Sequence, residues 1–241
     1  MNSSTAQRLL EINREFYNRF GEQFSATRQR LQPGVKKILD SIQGDVSVLD
    51  LGCGNGHFLR EISRLGHKAP LLGVDFSLPL LRNAESQPEG FSARFMEIDI
   101  TKLSVISNQS LITNHWSLIT AFALLHHIPS HEIRLDILRT VQKLLKPNGK
   151  FILSNWQFLN SEKLKARILP WAKVGLSNSD VDEGDYLLDW RSGGEGLRYV
   201  HHFSVRELLA LAGQAGMRVS DSFLSDGEGG NLSLYQTWHP K

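Results

Sequence analysis

Three features of the amino-acid sequence predict an α/β fold built on a mostly parallel, doubly wound sheet. Short apolar runs alternate with amphipathic helical segments from residue 46 onward. The first run ends in a glycine-rich turn that opens a helix, Asp50-Leu51-Gly52-Cys53-Gly54-Asn55-Gly56. The next two runs end on carboxylates, Asp75 and Asp99.

Along the chain, the helical spacing of Leu9, Ile12, Phe16 and Phe20 predicts an amphipathic helix over Thr5–Phe20. Gln23–Gly34 reads as a loop or broken helix, and Val35–Ile42 as a short helix. Val46–Leu51 is the first strand and His57–Leu65 the helix after the glycine turn. Pro70–Val74 is the second strand, followed by a helix near Leu78–Ser86. Ala93–Ile100 and Ser117–Phe122 are the third and fourth strands. Ser130–Leu145 is an amphipathic helix stopped by Pro147-Asn148-Gly149, and Phe151–Ser154 is the fifth strand.

Ser161–His202 breaks this rhythm with Pro170, Gly175, the acidic patch Asp180, Asp182, Glu183 and Asp185, and the Gly193-Gly194-Glu195-Gly196 stretch. It reads as a partly helical insertion or lid. Ser204-Val205-Arg206-Glu207 has the spacing of a capping box and opens a helix through Ala215. Met217–Leu224 and Asn231–Trp238, divided by Asp226–Gly230, read as a terminal antiparallel pair. The pattern implies one domain: an N-terminal helical extension (1–45), an alternating core that carries the glycine turn (46–156), the insertion (157–202), and a C-terminal helix with the strand pair (203–241).

A chain of 241 residues, 41% hydrophobic, suits a single sizeable core. Met1–Gln7 is polar and no apolar run follows, so no signal peptide is expected. No stretch approaches the ~18 apolar residues of a membrane span, and no membrane partner is expected. The single cysteine excludes an internal disulfide and leaves no metal cluster, in keeping with a reducing cytoplasm. A net charge of +2 neither demands nor forbids a polyanionic partner.

The glycine turn carries the first chemical signal. Its Gly-x-Gly-x-Gly spacing is tighter than the dinucleotide fingerprint. Asp50 at the strand end would repel a pyrophosphate but suits a cationic amino-acid moiety. Asp75, within Gly73-Val74-Asp75-Phe76-Ser77, is placed to accept hydrogen bonds from the ribose hydroxyls of a nucleoside. Asp99, within Glu97-Ile98-Asp99-Ile100, is placed to accept from an adenine amino group. Each alone is as readily a helix cap or a solvated strand end; together they share the crevice where open α/β sheets bind ligands.

Asp50–Gly56, Gly73–Ser77, Asp99 and Phe122-Ala123-Leu124-Leu125-His126-His127 resemble the ordered motifs of class I S-adenosylmethionine-dependent methyltransferases. Leu144–Lys150 is similar to the turn before their fifth strand. The resemblance implies a Rossmann-like, seven-stranded, mostly parallel sheet with an antiparallel last strand and helices on both faces. It implies S-adenosylmethionine as cofactor, held by Asp50, Gly52, Cys53, Gly54 and Gly56 of the turn. Asp75, Phe76, Ser77, Asp99, Ile100, Ala123 and Leu124 complete the implied site. No metal site is readable.

Outside the core, Tyr17-Asn18 and Phe24-Ser25-Ala26-Thr27-Arg28 resemble the tRNA wobble-uridine carboxymethyl methyltransferases. Trp156, Leu169-Pro170-Trp171 and Arg198-Tyr199-Val200-His201-His202-Phe203 extend the likeness in family order. Gln32-Pro33 and Gly230-Asn231-Leu232 depart from it, where that family usually has Trp-Pro and Gly-Asn-Trp. The resemblance implies a tRNA anticodon loop as partner. It also implies a small zinc-binding activator protein, for which the sheet edge near Phe95–Ile100 is the candidate dock.

A carboxymethyl acceptor is already ionised at neutral pH and needs no base, only an oxygen held in line with the methyl group. Arg28, His126, Arg198 and His201 suit that holding role. A hydroxyl acceptor needs a base, with a histidine the first candidate. A small-molecule carboxylate or hydroxyl methyltransferase therefore stays open, as does a catalytically silent partner subunit. One histidine of the His126-His127 pair reads equally well as structural, and Trp156 and Trp171 read more readily as packing than as stacking platforms.

Overall fold

The structure, a computed structural model, describes residues 1–26, 30–85, 91–108, 115–191 and 194–241. Its main sheet has seven strands in the order β3-β2-β1-β4-β5-β10-β9. These are β1 (Val48–Leu51), β2 (Leu71–Asp75), β3 (Ala93–Glu97), β4 (Trp116–Phe122), β5 (Leu145–Trp156), β9 (Met217–Ser225) and β10 (Ser233–Pro240). β1 to β5 pair in parallel, and β10 lies antiparallel to both β5 and β9.

Every residue of β1 and β2 is buried, as expected of parallel strands covered on both faces. Val48 points into the cluster formed with α2 (Pro33–Ser41) and α3 (His57–Arg64), through Ile38, Leu39, Leu59 and Ile62. Its neighbour Leu49 joins the opposite cluster, with Leu138 and Val141 of α6 (His131–Leu144) and Leu208 and Leu211 of α8 (Val205–Gln214). The two-residue side-chain period of a strand thus serves both layers. The chain runs outward from β1 through β2 to β3 and then returns to β4 on the other side of β1, so the strand order reverses between β1 and β4 and a crevice opens at their C-terminal ends.

Several expectations need correction. The N-terminal helix α1 runs Ser3–Ala26, past the point where a loop was expected. β3 stops at Glu97, because Asp99 turns to cap a short 3-10 helix over Ile100–Lys102. The unanticipated α5 (Leu103–Asn108) follows, and α4 spans Leu78–Glu85. The Lys146–Gly149 turn is absorbed as an irregularity in β5, whose register with β4 shifts between Trp116 and Leu118.

The largest correction concerns 161–202. Its described residues hold the single turn of α7 (Glu162–Lys165), a 3-10 turn, and a three-stranded antiparallel sheet of β6 (Ile168–Leu169), β7 (Asp185–Trp190) and β8 (Gly196–His201). The apolar stripe of α1 packs on it: Leu9 and Ile12 against Trp171, Leu187 and Tyr199, then Phe16 and Phe20 against Trp190. α1 and this sheet together roof the crevice. No helix among the described residues is long and apolar enough to cross a membrane.

Candidate cofactor and acceptor site

A cavity of about 470 Å³ lies between the strand ends and the α1 roof. Its floor is the β1–α3 turn, with Gly52 at φ +69 and Gly54 at φ +54. Both conformations are costly for residues with a Cβ. The Gly52 and Cys53 N–H groups donate to the Val74 carbonyl at 2.8 and 3.0 Å, which ties the turn to β2. A Cβ on Gly54 would meet no heavy atom within 4 Å, so the missing side chain leaves ligand space. Gly52 lines the cavity, but a Cβ there would strike Leu124. Gly56 lies outside the lining; it precedes α3 at φ +70, where a Cβ would come within 2.6 Å of the Phe95 ring. Its glycine serves packing.

The three strand-end carboxylates differ in environment. Asp50 is buried and accepts from the Thr120 hydroxyl at 2.6 Å. Burial, with the nearby Asp75 adding to it, pushes its pKa up to about 7. Asp75 accepts from the N–H groups of Gly54 and Ser77, both at 2.9 Å, and burial raises its pKa too. Asp99 accepts from Thr101 and pairs with Arg14 of α1 at 2.7 Å. Cys53, Phe76, Ile100, Ala123 and Leu124 also line the cavity. Ser77 does not; it is fully buried, and its hydroxyl reaches the Tyr17 carbonyl. Ala123 holds φ +51 at the cavity wall, pinned by its N–H to the carbonyl and hydroxyl of Ser154.

This donor set fits S-adenosylmethionine. Asp50 offers a buried carboxylate to a cationic amino acid, Asp75 and Asp99 offer acceptors to ribose and adenine, and Gly54 lets the ligand reach the backbone.

The other half of the cavity is lined by His126, His127, Trp156, Trp190 and Arg198. The Arg198 guanidinium is buried against three rings, 5.0 Å from Phe16, 5.3 Å from Trp156 and 5.0 Å from Trp190. His126 Nδ1 accepts the Trp156 N–H at 3.2 Å. An N–H can only donate, so Nδ1 carries the lone pair and the ring proton sits on Nε2. Burial, then the neighbouring His127 ring and the Arg198 cation, holds the His126 pKa well below its ordinary value. His127 has the opposite tautomer: Nδ1 donates to the Tyr199 carbonyl at 3.1 Å, and Nε2 accepts from the Tyr17 hydroxyl at 3.0 Å. Burial and Arg198 lower its pKa to about 3. Both rings are neutral at physiological pH.

The remaining two acceptor candidates are not in this group. Arg28 lies outside the described residues. His201 does not line the cavity: its Nδ1 meets Asp185 at 2.6 Å and its Nε2 meets Glu207 at 2.9 Å. Arg134 and the Tyr199 hydroxyl complete this buried cluster, which fastens β7 and β8 to α6 and α8. The expected acceptor contact of His201 is therefore corrected to a structural bond.

Sequence reasoning also missed residues. Asn13 and Arg14 line the cavity beside Tyr17, so α1 supplies one wall of the site. The available signal was a polar Asn13 one turn from Leu9, on the buried stripe of an amphipathic helix.

Comparison with known proteins agrees with the fold. Residues 17–221 match the family described as the methyltransferase domain. A protein of Encephalitozoon cuniculi named as a methyltransferase is 28% identical over 208 residues, covering 86% of this chain and 87% of that one. The tRNA (carboxymethyluridine(34)-5-O)-methyltransferase of Mus musculus is 24% identical over 170 residues, covering 70% of this chain but only 23% of that protein. The chain thus spans under a quarter of that relative's length. The ubiquinone biosynthesis O-methyltransferase of Nitrosococcus oceani is 31% identical over 109 residues, 44% of this chain and 42% of that one. Among solved structures, a SAM-dependent methyltransferase from Methanosarcina mazei superposes with a TM-score of 0.65 at 22% identity, covering 87% of this chain and 98% of the other. Magnesium protoporphyrin IX methyltransferase from Synechocystis, solved with bound SAH, gives 0.65 at 16% identity, covering 95% and 97%.

Proposed function

The chain belongs to the methyltransferase domain family, and from that footing we propose that its acceptor is an ionised carboxylate, the carboxymethyl arm of a modified wobble uridine in tRNA. The chain is an S-adenosylmethionine-dependent methyltransferase with the Rossmann-like fold of that class. The cofactor supplies an electrophilic methyl group on a sulfonium. The protein's part is to bring an acceptor oxygen into line with it and to keep water away.

The observation that carries the carboxylate reading is the protonation pattern beside Arg198. His126 has its lone pair committed to Trp156 and carries its proton on Nε2, so it donates to an oxygen and cannot take a proton from one. His127 has both nitrogens engaged, and a pKa of about 3 makes it a poor base. Arg198 is a fixed cation whose orientation is set by three rings. Beside Arg198, the two described histidines offer donors and no free lone pair, which with the cation suits an oxygen that arrives as an anion. The likeness to the mouse tRNA enzyme supports the nucleic-acid side of the proposal. On the same reading, β3, one of the two edge strands of the sheet, is the edge for a small zinc-binding activator.

A hydroxyl acceptor is the second reading, favoured by the likeness to the ubiquinone O-methyltransferase. The two part on pH dependence. A carboxylate acceptor gives a kcat that is flat from about pH 6 to pH 9, because nothing titrates on the path. A kcat that climbs tenfold per pH unit through neutrality would replace the carboxylate with a hydroxyl.

A further inference from the structure

Asn13 is 4% exposed and sits in α1, apart from the strand ends that carry the recognised motifs. Its side chain makes three bonds to backbone. Nδ2 donates to the His127 carbonyl at 3.1 Å and to the Tyr199 carbonyl at 3.0 Å. Oδ1 accepts the Tyr199 N–H at 2.9 Å. β8 pairs with β7 along one edge only, so on its other edge the Asn13 amide stands where a further strand would.

The two backbone segments so joined carry the acceptor-side groups. Tyr199 directly follows Arg198, and His127 directly follows His126. The His127 ring also donates to the Tyr199 carbonyl, so the junction is closed on itself. Among the described residues no strand pairing links the 3-10 turn over Leu125–His127 to β8; the turn follows β4 of the main sheet, β8 is the edge of the small sheet, and the two meet under α1.

We infer that Asn13 is a positioning residue for methyl transfer: through the backbone of His127 and Tyr199 it sets His126 and Arg198 at the separation that seats the acceptor. The inference rests on the carboxylate reading for what is seated, and on geometry alone for what is positioned. Asn13 has no such bond to Asp50, Asp75 or Asp99. Its loss is therefore felt on the acceptor and not on the cofactor.

Two variants test it. Asn13→Ala removes all three bonds; Asn13→Asp keeps an acceptor for the Tyr199 N–H and loses both donated bonds. With tRNA, kcat/KM is expected to fall about 100-fold in each, the cost of a misplacement of order 1 Å at a reacting centre. The dissociation constant for S-adenosylmethionine is expected to stay at the wild-type value, which also reports a folded protein. Tryptophan emission gives a readout that needs no acceptor. Arg198→Gln alters the surroundings of Trp156 and Trp190, and the Asn13 variants are expected to shift emission in the same direction. Wild-type kcat/KM, parallel weakening of cofactor and acceptor, or emission unchanged where Arg198→Gln shifts it would each overturn the inference. If the wild-type enzyme does not methylate tRNA, the acceptor reading falls, and the emission result alone decides the role of Asn13.

Discussion

At the scale of single residues, the environment of a carboxylate decides what it does. Asp50 has one hydroxyl donor and is buried, so in the free protein its proton is held up to about pH 7 while the unfolded chain releases it near the ordinary value of 3.8. The folded pKa is raised, so the contribution of Asp50 is present at low pH and is lost as pH rises between those values. Asp50→Asn carries no such dependence. Relative to wild type, the variant is expected to gain stability from pH 4 to pH 8, by roughly 4 kcal/mol at most from the size of the shift, as read by urea unfolding without cofactor. It is also expected to bind S-adenosylmethionine weakly. His201→Gln belongs to the same scale. It breaks a buried pair with Asp185 and should cost about 3 kcal/mol of unfolding free energy, with cofactor affinity unchanged below the melting temperature. The glycine turn and the three carboxylates were legible in sequence because their spacing states their chemistry. The tautomers of His126 and His127 were not, because they follow from backbone partners in β5 and β8 that only the fold brings near.

At the scale of elements, the β1–α3 turn separates two uses of glycine. Gly54→Ala puts a Cβ into open cavity at positive φ, so it should cost about 1 kcal/mol in stability yet abolish detectable cofactor binding, as isothermal titration would show. Gly56→Ala instead meets Phe95 and should be the more destabilising of the two in thermal melts. The alternation of strands and helices from Val48 to Trp156, α5 apart, was legible because the central strands are mostly apolar and the longer helices amphipathic. The β6–β7–β8 sheet was not. Its strands are short, and β7 is covered on both sides, by α1 at Leu187 and by Phe158 at Leu188, which erases the two-residue alternation. The end of α1 was missed for a simpler reason: Gln23 to Ala26 contains neither Gly nor Pro, so nothing stops a helix already stabilised by its packed face.

At the scale of the whole molecule, one sheet end gathers the cofactor groups, while α1 and the small sheet close over them with Arg198 at the join. The net charge of +2 is small, but Arg14, Arg30, Arg167 and Arg198 all line the cavity. If the acceptor is an anticodon loop, log kcat/KM for tRNA should fall linearly with log salt, with a slope of roughly −0.7 per phosphate contacted, while cofactor affinity stays nearly level. The family and its cofactor follow from the fold and the turn; the acceptor rests on the chemistry around Arg198. The most direct test is transfer of labelled methyl from S-adenosylmethionine to bulk tRNA, followed by mild alkali. Label that enters tRNA and is released by alkali, as a methyl ester requires, is the expected result. Label that stays in tRNA through alkali, or that enters only small metabolites, would contradict the carboxylate reading.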